Sequence, residues 1–162
     1  MNAAAIVYTS QTGFTARYAA LLAERTGLPC RPLKEAAALP RGTAVIYLGW
    51  LCAGGIKGLK EARRRFRMAA GCAVGMAAEV EEAKLRRDNR LEGVPLFYLR
   101  GGYAPEKLTG FYRAMMAPMA RLVSRAPAET EADRAMRDAF RDGGDWVSPE
   151  RLAPVLAWLD GD

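Results

Sequence analysis

Residues 3–15 read Ala-Ala-Ala-Ile-Val-Tyr-Thr-Ser-Gln-Thr-Gly-Phe-Thr. The first six form a short apolar run that ends in a polar cluster, a pattern typical of a strand buried on both faces of a parallel sheet. A helical pattern follows over 14–26, where Tyr18, Leu21 and Leu22 share one face and Gly27 is a natural stop. A strand that leads through a polar turn into a helix predicts the first unit of an α/β protein.

The chain repeats this alternation up to residue 102. Strands are predicted at 30–33, 43–49, 72–78 and 94–99, a basic helix at 57–70 and a polar helical connector at 79–90. Such alternation favours a five-stranded parallel sheet with helices on both faces. Further helices are predicted at 105–125, 129–141 and 149–159, the last with Ser148 as its N-cap. We therefore expect a single domain over 1–162, with a helical C-terminal part from about residue 105.

Composition limits the chemistry. The 162 residues are 51% hydrophobic and 26% charged, as in an ordinary globular protein. The lack of histidine excludes Ser-His-Asp and Cys-His catalysis, and no side chain stands out as an acid or base, so no catalytic residue is predicted. Cys30, Cys52 and Cys72 are odd in number and far apart, which argues against a zinc site or a disulfide framework.

The start of the chain lacks a signal-peptide pattern, and the longest apolar run, 44–56, is shorter than the ~20 residues of a membrane span. A cytoplasmic, soluble protein is expected.

The polar turn at 10–15 is the most informative segment. It lies at the carboxyl end of the first strand and opens the first helix, where backbone N–H groups point outward and form an anion site. Ser10, Thr12 and Thr15 add three hydroxyls. The Gly-Lys of nucleotide triphosphatases and the G-x-G-x-x-G fingerprint are both missing here. The turn therefore predicts a site for a single terminal phosphate; the alternative is an ordinary helix start capped by Ser and Thr.

The turn is similar to the S-x-T-G-N-T phosphate loop of flavodoxins, with Phe14 at the usual position of Asn. Further regions at 49–55, 97–103, 111–116 and 143–146 extend the likeness to nearly the whole chain. The chain resembles a small flavodoxin of the branch that includes menaquinone-dependent protoporphyrinogen dehydrogenase. The resemblance implies a flavodoxin-like three-layer αβα sandwich with a five-stranded parallel sheet in the order 2-1-3-4-5.

The resemblance also implies FMN as the cofactor, held by three loops. The phosphate would lie on Ser10, Gln11, Thr12, Gly13, Phe14 and Thr15. The isoalloxazine ring would lie between a loop of Trp50, Leu51, Cys52, Ala53 and Gly54 and a loop of Arg100, Gly101, Gly102 and Tyr103. A flat ring needs an aromatic wall and close backbone donors, which Trp50, Tyr103 and the glycines could supply. The alternative for Trp50 is a core aromatic at the end of a strand.

The charge distribution suggests partners. The net charge is +6, and most of the excess lies between residues 57 and 92. The interpretation we favour is a solvated helix face; the functional alternative is a docking surface for an acidic redox partner, an anionic lipid surface or the propionates of a tetrapyrrole. Nucleic acid is not expected, since no aromatic or groove-reading motif accompanies the charge.

The two ring-binding loops carry no carboxylate, whereas Lys57, Lys60 and Arg100 lie in or beside them. Positive charge near the ring favours the reduced, anionic flavin. We therefore expect the second one-electron potential of bound FMN to be less negative than in an acidic flavodoxin.

An amphipathic stripe occupies 108–123. Its apolar residues recur at helical spacing: Leu108, Phe111, Tyr112, Met115, Met116, Met119, Leu122 and Val123. Core packing is the interpretation that this pattern favours. The alternative is a surface that faces a porphyrin or a quinone, since methionine adapts to irregular ligands.

Three functions compete. The first is an FMN-binding electron-transfer protein. The second is an FMN-dependent oxidoreductase of the protoporphyrinogen/quinone type, against which stands the shortness of the 79–92 connector, where no substrate-binding insertion can be identified. The third is a flavin-free binding module, suggested by Phe14 at the position of the usual Asn.

Overall fold

The computed structural model describes residues 2–161. Its strands are β1 (Ala5–Thr9), β2 (Cys30–Pro32), β3 (Ala44–Cys52), β4 (Gly55–Ile56), β5 (Arg67–Gly75), β6 (Leu96–Arg100), β7 (Gly102–Tyr103) and β8 (Gly144–Asp145). Its helices are α1 (Phe14–Thr26), α2 (Leu59–Arg65), α3 (Glu82–Asn89), α4 (Gly110–Arg125), α5 (Glu131–Asp142) and α6 (Ala153–Asp160). Short 3₁₀ turns cover Leu33–Ala38, Pro105–Lys107 and Pro149–Leu152.

The main sheet has the order β2-β1-β3-β5-β6, and these five strands are all parallel. They are the five strands predicted from the sequence, so the predicted order 2-1-3-4-5 is confirmed. This is the flavodoxin-like order, with its switch point between β1 and β3. Strand β4 adds a short antiparallel pairing to the end of β3.

Helices cover both faces of the sheet. On one face, α1 and α6 bury Tyr18, Leu22 and Val155 against sheet residues such as Ile46. On the other face, the 3₁₀ turn at 33–38, α2 and α3 cover a second cluster. Because the central strands are buried on both sides, they read as continuous apolar runs. The result is the expected three-layer sandwich.

Two predicted boundaries are wrong. The basic helix expected over 57–70 ends at Arg65, and the strand expected over 72–78 already begins at Arg67. Arg67, Met68 and Ala70 pair with β3, with a register shift at Ala69, and Ala69 and Ala70 are buried. The apolar segment therefore belongs to the sheet because its neighbouring strands and the covering helices bury it on both faces.

The C-terminal part is helical, as expected, although its helices begin later than predicted. Helix α4 begins at Gly110 and α6 at Ala153, each preceded by a 3₁₀ turn that contains the predicted start. Ser148 occupies the N-cap position of the 3₁₀ turn at Pro149–Leu152, but its hydroxyl bonds the Glu150 carboxylate and not a backbone N–H. At the other end of the chain, Gly27 ends α1 in the left-handed conformation, as predicted.

No helix within residues 2–161 combines the length and the apolar character needed to cross a bilayer.

Tyr47 gives the fold a predictable response to alkali. Its buried hydroxyl donates to the Lys57 carbonyl at 2.6 Å and contacts the Thr9 hydroxyl at 2.7 Å. Burial raises the pKa of Tyr47 from 10.0 to about 12. Burial likewise raises the pKa values of Tyr98 and Cys72 to about 12. All three groups stay neutral in the folded chain at a pH where the unfolded chain would already lose protons.

The free energy of unfolding should therefore hold up to about pH 8 and fall steadily as the pH rises towards 12. Urea unfolding at a series of pH values measures this. The Tyr47→Phe variant cannot ionise at that position, so it should lose less stability than the wild type between pH 10 and pH 12. Equal losses in the two proteins would contradict the assignment.

Candidate functional site

One cavity of about 340 Å³ lies at the carboxyl edge of the sheet, beyond the ends of β1, β3, β5 and β6. Residues 10–15, 50–53, 74–77 and 98–103 contribute to its walls, and α4 closes the remaining side. Ligands of open α/β sheets bind at this edge, near the switch point. Its volume falls in the ordinary range of small-molecule sites.

The first wall is the turn that opens α1. Gly13 has a φ of 101°, which favours glycine, and its N–H donates to the Ser10 hydroxyl at 3.2 Å. The next N–H groups start the helix and have no intrahelical acceptor. Thr12 and Thr15 line the cavity, and neither hydroxyl hydrogen-bonds another group in the part of the chain that the structure describes. The turn thus offers hydroxyl and amide donors for an anion.

The second wall is a tight hairpin between β3 and β4. Ala53 and Gly54 form its two-residue tip, both with positive φ. Buried Asn89 at the end of α3 holds this hairpin: its side-chain amide donates to the Gly54 carbonyl at 2.9 Å and accepts the Ile56 N–H at 2.8 Å. These bonds fix the backbone of the second loop against the sheet.

Trp50 joins the second wall to α4. Its ring meets that of Tyr112 edge-on, with the centroids 5.1 Å apart. The Lys57 ammonium lies over both rings, 5.7 Å from the Trp50 centroid and 5.6 Å from that of Tyr112. Trp50 is half-buried and lines the cavity, so it serves as a wall of the cavity rather than as part of the central core.

The third wall is an antiparallel ribbon of β7 and β8. Gly102 pairs with Asp145 and Tyr103 with Gly144. A Cβ on Gly102 would lie 2.4 Å from the Gly144 carbonyl oxygen and 2.5 Å from the Phe14 ring. Only glycine therefore lets the ribbon come this close to the start of α1. Phe14 packs against this loop and borders the cavity.

Two arginines that do not line the cavity hold the β7–β8 ribbon against the rest of the chain. The Arg100 guanidinium stacks on Trp146 at 3.9 Å and donates to the Met76 carbonyl at 3.1 Å. Arg17 on α1 pairs with Asp145 at 2.7 Å. Burial, the largest single influence, opposes ionisation of Asp145, but the hydrogen bonds from Arg17 and the Val147 N–H and the nearby positive charges of Arg17 and Lys107 together hold the pKa of that carboxyl below its ordinary value. The ribbon is thus tied to both α1 and the end of β5.

Sequence reasoning missed the segment that follows β5. Gly75, Met76 and Ala77 line the cavity, and Tyr98 beside them donates its hydroxyl proton to the Ala77 carbonyl at 2.7 Å. The predicted strand itself was a signal for this segment, because β5 is a parallel strand that ends at the same edge of the sheet as β1 and β3. Asn89 was also missed, and nothing in its sequence context marks it.

The interpretation of the 108–123 stripe as core is wrong. No residue of α4 is fully buried. Its inner side lines the cavity through Tyr112, Met115, Met116 and Met119, with Leu108 just ahead of the helix. Helix α6, and not α4, packs against the sheet with α1. The chain therefore makes a detour of two helices, 104–143, between the paired strands β7 and β8.

Most of the predicted binding residues meet at this cavity. Its lining includes Ser10, Gln11, Thr12, Phe14, Thr15, Trp50, Leu51, Cys52, Ala53, Gly102 and Tyr103. The other four lie behind it: Gly13 shapes the turn, Gly54 bonds Asn89, Gly101 packs on Val74 and Arg100 stacks on Trp146.

None of the residues that line the cavity carries a charge. Ser10, Gln11, Thr12 and Thr15 gather side-chain hydroxyls and one amide at the α1 end, while aromatic, methionine and aliphatic side chains form most of the other walls. Such a site fits a flat, largely apolar molecule with an anionic tail.

Comparison of the chain with protein-family models, with curated proteins and with solved structures found no match in any of the three.

Proposed function

We propose that the protein binds FMN and transfers electrons. The observation that carries this proposal is the meeting of three separate loops, 10–15, 50–53 and 102–103, around one uncharged cavity at the switch point of a flavodoxin-like sheet. FMN, when bound, supplies one- and two-electron transfer. The chain's residues bind it, orient its ring and exclude water.

The donor set fits the cofactor. The amino end of α1 with Thr12 and Thr15 suits a phosphate, because helix N–H groups and unpartnered hydroxyls can satisfy its oxygens without a cation. Trp50 and Tyr103 suit the two sides of a flat ring. The close packing of Gly101 and Gly102 on neighbouring groups brings backbone near the ring.

The charges around the cavity support the expected shift of the flavin's second one-electron potential. The cations that the sequence suggested differ in how directly they could act on it. Arg100 stacks on Trp146 and does not line the cavity, so its charge is a less direct influence on a bound ring than that of Lys57. Lys57 lies against Trp50, and the cavity lining contains no carboxylate.

The second one-electron potential of bound FMN should therefore be less negative than in an acidic flavodoxin, and Lys57→Gln should make it more negative. Spectroelectrochemical titration measures both. Arg64→Gln, which removes an exposed cation from the last turn of α2, is the matched control for charge. A strongly negative potential in the wild type would contradict this prediction.

The direct test of the function is the absorption spectrum of the purified protein before and after addition of FMN. We expect stoichiometric uptake of FMN, followed by reduction and reoxidation with a protein electron partner. A protein that stays colourless in excess FMN would contradict the proposal and favour the flavin-free module. An acidic redox partner in the cytoplasm is part of the same proposal, on the grounds of the positive net charge.

One observation favours a second candidate, an FMN-dependent oxidoreductase of the protoporphyrinogen/quinone type. The 79–92 connector holds no insertion, but the α4–α5 segment places three methionines of α4, Met115, Met116 and Met119, against the cavity. Such a wall could hold a large apolar substrate against the ring. Each two electrons and two protons taken from the substrate would convert one quinone to quinol. Turnover of protoporphyrinogen with menaquinone by the FMN-loaded protein separates this candidate from a simple carrier.

A further inference from the structure

One side of α4 is left exposed by the fold. Phe111 is 73% exposed and Leu122 is 71% exposed, and Met119 and Met115 also lie open to solvent. These four residues form the exposed α4 face. At about 100° per residue they span roughly 80° of the helix surface and about 16 Å of its length. This face adjoins the inner side and overlaps it at Met115 and Met119, whereas Tyr112 and Met116 belong to the inner side alone.

The charge of α4 has one sign. Between residues 108 and 125 there are three arginines and no carboxylate. Helical geometry places Arg121 and Arg125 directly beside the exposed α4 face, on the flank away from the cavity. Lys57, which lies over Tyr112, adds positive charge near the amino end of the helix. The neighbouring α5 carries charges of both signs: Glu131 and Asp133 lie in its first turn, and Asp138 and Asp142 in its last turns are paired with Arg141.

We propose that the exposed α4 face binds the surface of an anionic lipid bilayer, with the helix lying in the plane of the interface. An apolar strip flanked by arginines is the arrangement of interfacial helices: the apolar side chains enter the acyl boundary and the cations meet lipid phosphates. Phe111, Met115, Met119 and Leu122 are the inserted groups. Arg121 and Arg125 supply the preference for anionic lipid.

Other occupants fit this face less well. In a two-fold dimer the same patch meets itself, so the arginines of both copies would be brought together. A stable protein interface needs about 800 Å² and 20–30 residues from each partner, far more than four side chains on one convex helix. A bilayer requires neither a complementary pocket nor a large rigid area.

The proposal does not depend on flavin. Binding to a bilayer would nevertheless orient the cavity, because Met115 and Met119 belong to both the exposed α4 face and the cavity lining. The cavity would then lie next to the lipid.

Co-sedimentation of the full chain with vesicles tests the proposal. Vesicles of phosphatidylglycerol and phosphatidylcholine in equal parts should bind the protein at least about tenfold more tightly than pure phosphatidylcholine. Phe111→Ser/Leu122→Ser should weaken that binding by about tenfold or more, because two large apolar side chains are lost. Arg121→Gln/Arg125→Gln should abolish most of the preference for anionic vesicles.

The matched control is Arg31→Gln/Arg64→Gln, which removes the same charge from exposed positions elsewhere and should leave most of the vesicle binding intact. All the substituted side chains are exposed, and unchanged urea unfolding curves would show that the fold is kept. Equal binding to both vesicle types, or equal effects of the two arginine pairs, would overturn the proposal. So would a concentration-dependent dimer that Phe111→Ser/Leu122→Ser abolishes, since that result assigns the face to a second copy. FMN uptake by the purified protein is measured separately, and its result does not depend on the vesicle experiment.

Discussion

FMN should bind at least about 100-fold more tightly than riboflavin. The two molecules differ by the phosphate, which in the proposed function would be bound by the start of α1 and the hydroxyls of Thr12 and Thr15. Each hydrogen bond to a charged group contributes about 1.5–3 kcal/mol, so the loss of two such bonds accounts for the difference. Isothermal titration, or quenching of flavin fluorescence, measures both affinities.

The hydroxyls can be tested one at a time. Thr12→Val and Thr15→Val keep the side-chain shape, and each should weaken FMN by about tenfold while riboflavin affinity stays the same. Thr43→Val is the matched control, because Thr43 lies just before β3, at the opposite edge of the sheet, and should change neither affinity. Equal affinities of the wild type for FMN and riboflavin would contradict the phosphate site. They would leave open a ring site that does not use the turn at 10–15.

Replacement of Gly102 by Ala should damage both the site and the fold. The new methyl group would lie 2.4 Å from the Gly144 carbonyl oxygen and 2.5 Å from Phe14, so β7 must move away from β8 or from α1. Overpacking of this kind costs about 1–3 kcal/mol. We expect the free energy of unfolding to fall by that amount and FMN to bind at least about tenfold more weakly, because the displaced ribbon forms the third wall. Urea unfolding and FMN titration provide the two measurements.

Gly110→Ala is the control for the same chemical change. Gly110 begins α4, and a Cβ there meets nothing within 4 Å, so the variant should unfold and bind like the wild type. If Gly102→Ala proved as stable as Gly110→Ala, the close contact between the ribbon and α1 would be wrong. If it were less stable but bound FMN normally, the third loop would have no part in the site.

The sheet could be predicted because its strands are buried on both faces and stand out as separate apolar runs, from Ile6 and Val7 onward. The boundary between α2 and β5, at residues 66–70, could not be predicted from the sequence. A short run rich in alanine is compatible with either a helix or a strand, and only the strands and helices packed around it decide between them.

Some walls of the cavity could likewise be predicted from the sequence, and others could not. Residues 10–15, 50–53 and 102–103 follow predicted strands, so their meeting at one edge is a consequence of parallel order. The fourth wall, α4, was taken for core because periodicity shows that a helix has an apolar side but not what covers that side. Arg100 shows the same limit of sequence patterns. Its place beside the loop follows from the sequence, but its stacking on Trp146 could not be predicted, because Trp146 lies far along the chain.

The pairing of Tyr103 with Gly144 makes the forty residues between them a removable module. The two ends of the detour are already side by side, so a tight turn could join them and leave every strand of the main sheet in place. The wall that α4 gives the cavity could therefore be exchanged by engineering while the three loops at the ends of β1, β3 and β6 keep their strands.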